Sequence, residues 1–225
     1  MCTPFEDRAA EPAIRGFLHT PPVPNQDAII LTHGAGSNCQ STLLREISNV
    51  LAATGFAVLR CDLAFRLTRP YGPPFPGGAK RDREGLHRAA TLMRKQYGGR
   101  VFLGGHSYGG RQASMLLAEE PQAADGLLLL SYPLHPPRKP GKLRTQHFPK
   151  LTQPAFFVHG TRDAFGSIAE MASAMELIAG RHQLFEVENA GHDLLPRKNA
   201  AEFLSTAIGQ FSTFMKPVSH RSIEA

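Results

Sequence analysis

The segment Val101–Gly110, V-F-L-G-G-H-S-Y-G-G, restricts the fold of this chain more than any other stretch. An apolar run ends at a glycine pair and delivers one serine, Ser107, between small residues. Val101, Phe102 and Leu103 have the composition of a strand core, and Ala113, Leu116 and Leu117 give the following segment an apolar helical face. The spacing predicts a strand, a sharp turn and a helix start, with Gly105 and Gly109 flanking the serine in G-x-S-x-G. A turn this tight strains the serine backbone and lifts its hydroxyl clear of the sheet. A Cβ at either flank would collide with the neighbouring strand or helix.

The same alternation of apolar runs and helical faces extends along the chain. Ala28–Thr32, Phe56–Arg60, Gly126–Leu130, Ala155–Val158 and Gln183–Val187 read as strands; Gly126–Leu130 and Ala155–Val158 carry no polar alternation, as expected of strands buried on both faces of a parallel sheet. Between them, Leu43, Ile47, Val50 and Leu51, then Leu86, Ala89, Ala90, Met93 and Tyr97, then Ile168, Met171, Ala172, Met175 and Ile178 trace amphipathic helices. Ala200, Phe203, Leu204, Ala207, Ile208 and Phe211 mark the last one. This order predicts an α/β fold with helices on both faces of a mostly parallel sheet. Residues 1–12 are polar and read as a flexible N-terminus, 13–215 as a single domain opening on an edge strand at Ala13–Leu18, and 216–225 as a polar tail. Arg69–Gly78 reads as a long irregular loop, and Ser131–Gln153 is proline-rich and too short for a cap domain.

Composition narrows the function classes. The net charge of +6 is scattered, with short groupings such as Lys80, Arg81, Arg83 and Arg138, Lys139, Lys142, Arg144, and no recognition motif accompanies it, so solvated loops are favoured over a nucleic-acid surface. Cys2, Cys39 and Cys61 are odd in number and lack C-x-x-C spacing, which argues against a disulfide framework or a zinc site and fits a reducing cytoplasm. The first residues carry Glu6, Asp7, Arg8 and Glu11 with no apolar core, unlike a signal peptide, and no apolar run is long enough to span a membrane. Neither a phosphate-binding glycine motif nor an H-E-x-x-H cluster is present, so neither cofactor nor metal is expected. Oligomeric state leaves no mark in the sequence.

In a parallel sheet of this type ligands gather at the carboxyl ends of the strands. The chemistry-bearing residues there are His33–Gly36, Asp62, Ser107, Tyr132 with His135, Asp163 and His192. A serine hydroxyl needs a base to take its proton, and the base works best when an acid fixes its tautomer. In the chain order serine, acid, histidine, which is that of the α/β-hydrolases the G-x-S-x-G elbow resembles, the bases beyond the acid are His182, His192 and His220; His182 begins a strand, His220 lies in the tail, and His192 follows a strand end and a glycine. Asp163 and Asp193 compete as the acid. Asp163 is favoured because adjacent residues rarely meet head-on, although an aspartate before Phe165–Ile178 also suits a helix N-cap. A tetrahedral intermediate requires backbone donors already in place. These are expected from the N–H of Tyr108 and from the His33–Gly36 turn, Ala35 first and Gly34 second, with Gly36, Tyr132 and His135 lining the substrate pocket.

The elbow, the H-G-A-G loop, the H-G-T-R-D turn and the A-G-H-D turn, spread over Ala28–Asp193, resemble the α/β-hydrolase superfamily, and the compact size resembles its dienelactone-hydrolase-like members. More narrowly, Leu31–Gly36, Gly104–Ala113 and Ser131–Pro137 are similar to a small subfamily of bacterial hydrolase-like proteins and eukaryotic testis-expressed and NSL-complex-subunit hydrolase-like proteins. The resemblance implies the α/β-hydrolase fold and a serine-hydrolase site at Ser107, Asp163 and His192, acting on a small-molecule carboxylic ester or related acyl substrate through an acyl-enzyme. It also implies two alternatives: a non-catalytic interaction module, since some relatives are complex subunits, and a thioesterase or peptidase on the same machinery. Ser107 stands where dienelactone hydrolases use cysteine, which argues against a lactone. Without a cap, the site should be open and shallow.

Overall fold

The computed structural model describes residues 1–195 and 200–217. Eight strands, β1 (Cys2–Asp7), β2 (Ile14–His19), β3 (Ala28–Thr32), β4 (Ala57–Cys61), β5 (Val101–His106), β6 (Gly126–Leu130), β7 (Ala155–Gly160) and β8 (His182–Val187), form one sheet. Their order is β1-β2-β4-β3-β5-β6-β7-β8. The pairs β1·β2 and β2·β4 are antiparallel, and the rest are parallel. Among the described residues six α-helices, α1 (Thr42–Ala53), α2 (Ala64–Thr68), α3 (Ala79–Tyr97), α4 (Tyr108–Glu119), α5 (Ile168–Met175) and α6 (Ala200–Phe214), connect and cover the strands.

Side chains alternate across a strand, so an uninterrupted apolar run serves two cores at once. Ile30, Leu59, Leu103, Leu129 and Phe157 pack on one face with Leu86 and Met93 of α3, Leu116 and Leu117 of α4 and Met171 of α5. Ile29, Leu31, Phe102, Leu128, Phe156 and Val158 pack on the other with Leu44 and Ile47 of α1 and Leu204, Ile208 and Phe211 of α6. Local chemistry sets the helix ends. Ser41 caps α1 through Leu44 N–H, Ser167 and Glu170 form a capping box at α5, and Gly98 ends α3 in the left-handed conformation at φ 76°.

The expectation of a flexible segment at 1–12 is corrected, because Cys2–Asp7 is the outermost strand, paired residue by residue with β2. Its ends are tied by the terminal ammonium to Thr20 O at 3.0 Å and by the Arg88 guanidinium to Asp7 Oδ1 at 2.7 Å. An edge strand with mostly exposed side chains needs no apolar alternation, so periodicity missed it. α2 and the first two turns of α3 also lacked an apolar signal: they are held by Arg66 and Asp82, which are buried but polar. Of the tail at 216–225, residues 218–225 lie outside the described residues. The β6–β7 connection contains one short helical turn, Phe148–Lys150, and no cap domain. Among the described residues no helix is long and apolar enough to cross a membrane.

Candidate active site

Ser107 occupies the turn between β5 and α4 with φ 52° and ψ −115°, a strained conformation for a residue with a side chain. Its N–H donates to Leu130 O at 2.8 Å, which pins the turn to β6. The flanking glycines are required by their neighbours. A Cβ on Gly105 would lie 2.4 Å from Thr32 O, and one on Gly109 would lie 2.5 Å from Thr32 Oγ1 and 2.7 Å from His33 O. Two backbones thus approach closely enough to place the ends of β3 and β5 side by side, with the His33–Gly36 loop against Ser107.

His192, in the loop after β8, stands 2.8 Å from Ser107 Oγ through Nε2. Its Nδ1 is 2.8 Å from Asp163 Oδ2 and 3.1 Å from Oδ1. A carboxylate only accepts, so Nδ1 carries the proton and Nε2 presents its lone pair to the serine hydroxyl. Burial by itself would raise the Asp163 pKa, but the His192 hydrogen bond and charge, the Phe165 N–H and His159 together hold it below the usual carboxylate range. The Asp163 side chain is fully buried. Phe165 stacks on the His192 ring with centroids 4.1 Å apart and planes at 25°, closing off one ring face. α5 is capped by Ser167, and the N-cap reading of Asp163 is replaced by a turn in which Oδ1 accepts from Phe165 N–H at 2.8 Å. Asp193 is exposed.

Gly34, Ala35, Gly36 and Tyr108 line a cavity of about 560 Å³ that opens on Ser107 and His192. Gly34 lies close to the nucleophile, for a Cβ there would sit 3.6 Å from Ser107 Cβ. The loop is held from behind. Buried His33 donates from Nδ1 to Gly34 O at 2.8 Å and accepts at Nε2 from Leu63 N–H at 3.1 Å; burial holds its pKa down, and the neutral ring fits both roles. Arg66 donates to Ser37 O at 2.7 Å and to Ala35 O at 2.9 Å. Tyr108 is anchored by its hydroxyl, which donates to Asp82 Oδ2 at 2.8 Å, while Asp82 Oδ1 accepts from Phe65 N–H at 2.9 Å.

Two expected pocket residues are corrected. Tyr132 is fully buried, packs 5.3 Å from Phe148 and 6.0 Å from Phe157, and donates to Arg144 O at 2.6 Å. The chain leaves β6 through Ser131 at φ 45°, and Tyr132 belongs to the core. His135 is buried as well, with Nδ1 donating to Pro136 O at 2.9 Å. Pro133 and Arg144 of the same connection line the cavity instead. Asp62, although at a strand end, pairs with Arg15 at 2.8 Å and accepts from Cys39 N–H, away from Ser107.

Sequence reasoning missed His106, Arg66, Asp82, Arg111, Arg144 and Phe165. His106 alone lay within the motif. Its Nε2 donates to the His192 carbonyl at 2.6 Å, coupling the elbow to the loop that carries the base. The pKa of His106 is lowered to about 4, chiefly by burial. His19 and His147 are lowered to about 4 for the same reason. In the unfolded chain these rings titrate near 6.5. Below that pH the unfolded state binds more protons than the folded one, so stability is complete above about 6.5 and lost as pH falls toward 4. The urea midpoint is expected to drop between pH 7 and pH 5, and His147→Gln to flatten the drop; a midpoint constant over that range would contradict it.

A mostly parallel sheet with a strained serine elbow, and loops at the strand ends converging on it, is the architecture of α/β-hydrolases. The chain belongs to that family: the model of the alpha/beta hydrolase domain matches residues 25–218. The fold is similar to that of dienelactone hydrolase from Anabaena variabilis (20% identity, TM-score 0.76, covering 95% of this chain and 97% of that one). It is also similar to Est1E from Butyrivibrio proteoclasticus (15%, 0.72, 94% and 98%) and to an esterase of Pyrococcus furiosus (15%, 0.76, 96% and 92%).

Proposed function

We propose that this protein is a cytoplasmic serine hydrolase that cleaves carboxylic esters through an acyl-enzyme. The observation that carries this reading is the unbroken contact from Ser107 Oγ to His192 Nε2 and from His192 Nδ1 to Asp163, at 2.8 Å for each step. Ser107 Oγ attacks the ester carbonyl carbon as His192 Nε2 takes its proton, and Asp163 stabilises the imidazolium that results. The N–H groups of Tyr108 and Ala35, with Gly34 adjoining, hold the oxyanion. His192 then protonates the leaving alkoxide, and in the second half it activates the water that releases the acid and frees Ser107. The catalytic groups in both halves belong to the protein, and water is the second reactant. Its structural neighbours support an ester, since one is a dienelactone hydrolase and another an esterase. Cys2, Cys39 and Cys61 are free thiols, which supports a reducing compartment.

The test is chemical. A fluorophosphonate should phosphonylate Ser107 alone, with Ser107 Oγ bonding to phosphorus, fluoride departing and His192 taking the proton. Ordinary surface serines have neither base nor oxyanion donors. Ser107→Ala should remove the label and His192→Ala should suppress it strongly. A folded wild-type protein that stays unlabelled beside an active control hydrolase would refute the reading.

With no cap over a cavity of about 560 Å³, short soluble esters are expected to turn over faster than long-chain ones. A rise in kcat/KM from short into long acyl chains would argue for a covered lipid site instead.

A further inference from the structure

Among the described residues, the cavity beside Ser107 is lined by two guanidinium groups and no carboxylate: Arg111, one turn beyond the nucleophile on α4, and Arg144, from the β6–β7 connection. Three other buried or half-buried arginines are matched. Arg66 meets four backbone carbonyls, and Arg83 and Arg100 meet Glu119 and Asp27. Arg111 is different. Its Nε is buried without a hydrogen-bond partner. The Arg144 side chain donates to Pro133 O at 3.2 Å, a neutral acceptor. Tyr132 and His147, packed beside the pair, supply no negative charge. Burial raises the Tyr132 pKa and lowers that of His147 to about 4, so both are neutral at neutral pH. Burial and the neighbouring Arg111 charge also disfavour the charged form of Arg144. An unpartnered guanidinium donor and two like charges in one cavity are both unfavourable. An anion bound in the cavity relieves the repulsion between the two charges, and the planar fork of arginine matches a carboxylate.

Building on the serine-hydrolase reading, we propose that the substrate carries a carboxylate, held by Arg111 and Arg144 while Ser107 attacks its ester carbonyl. The substrate class is then the half-ester of a short dicarboxylic acid.

The test compares mono-p-nitrophenyl glutarate with p-nitrophenyl valerate, which differ only in ending in a carboxylate or a methyl group. Wild type should favour the glutarate in kcat/KM by on the order of 10-fold or more, as for a charge-assisted hydrogen bond. Added salt should shrink that ratio. Arg111→Gln should abolish the preference and Arg111→Lys retain part of it, whereas Lys142→Gln, on the exposed part of the same connection, should keep it. A ratio near one in wild type, or one unmoved in both Arg111→Gln and Arg144→Gln, would overturn the proposal. Calorimetry of monomethyl glutarate binding to Ser107→Ala gives a readout free of turnover, and binding is expected to weaken on adding Arg111→Gln. Turnover of valerate with no use of the carboxylate would retire the anion site alone. Arg111-dependent binding in a protein that hydrolyses neither ester and takes no fluorophosphonate label would retire the hydrolase reading and keep the anion site.

Discussion

Asp163→Asn is expected to lower kcat by on the order of 10⁴ and to leave the fold intact, the scale found when the acid of such a relay is neutralised. The carboxylate accepts from His192 Nδ1 at 2.8 Å and so leaves Nε2 unprotonated toward Ser107. An asparagine turned to donate toward Nδ1 would move the ring proton to Nε2, where it blocks proton transfer from the serine. Turned the other way, it accepts that proton but carries no charge to stabilise the imidazolium. Asp193→Asn is expected to change kcat far less, because that side chain is exposed and makes no contact in the relay. Steady-state kinetics of both variants, with circular dichroism to establish folding, measures the ranking. A larger loss at Asp193 would mean that the acid is misassigned.

Gly109→Ala is expected to damage both stability and activity. Its Cβ would sit 2.5 Å from Thr32 Oγ1, 2.7 Å from His33 O and 2.9 Å from Thr32 C, and two of these atoms are backbone at the end of β3. No side-chain rotation relieves the clash, so β3 must move away from α4 and take the His33–Gly36 loop with it. Overpacking of this kind costs about 2–3 kcal/mol. It also opens the oxyanion donors, so kcat should fall even in the fraction that stays folded. Gly36→Ala provides the contrast in stability: nothing lies within 4 Å of its Cβ, and the change should stay within about 0.5 kcal/mol. Urea unfolding of the two variants decides the matter, and matching midpoints would show that the close approach is not a constraint.

Periodicity in one chain reports which side chains face apolar surroundings, and that sufficed for much of the fold. The uninterrupted runs Ala28–Thr32, Gly126–Leu130 and Ala155–Val158 marked strands buried on both faces, and the structure places all three inside the parallel part of the sheet. The mouth of the site followed from the same runs. Strand ends fall where apolar runs stop, so the runs alone gather Ser107, Asp163 and His192 at one edge.

What the sequence by itself determined, then, was the α/β architecture and the order in which a serine, an aspartate and a histidine arrive at one edge of the sheet. Tertiary structure decided which polar residues serve that edge. Asp82 and Arg66 sit in segments with no apolar rhythm, yet they are buried and hold Tyr108 and the Ala35 loop. Tyr132 looked like a pocket residue and is core, while Arg144 looked like a solvated cation and lines the cavity with Arg111. The physical reason is the same in each case. A buried polar or charged group is stabilised by a particular partner that comes from a distant part of the chain, and the identity of one residue carries no record of which partner folding will bring to it.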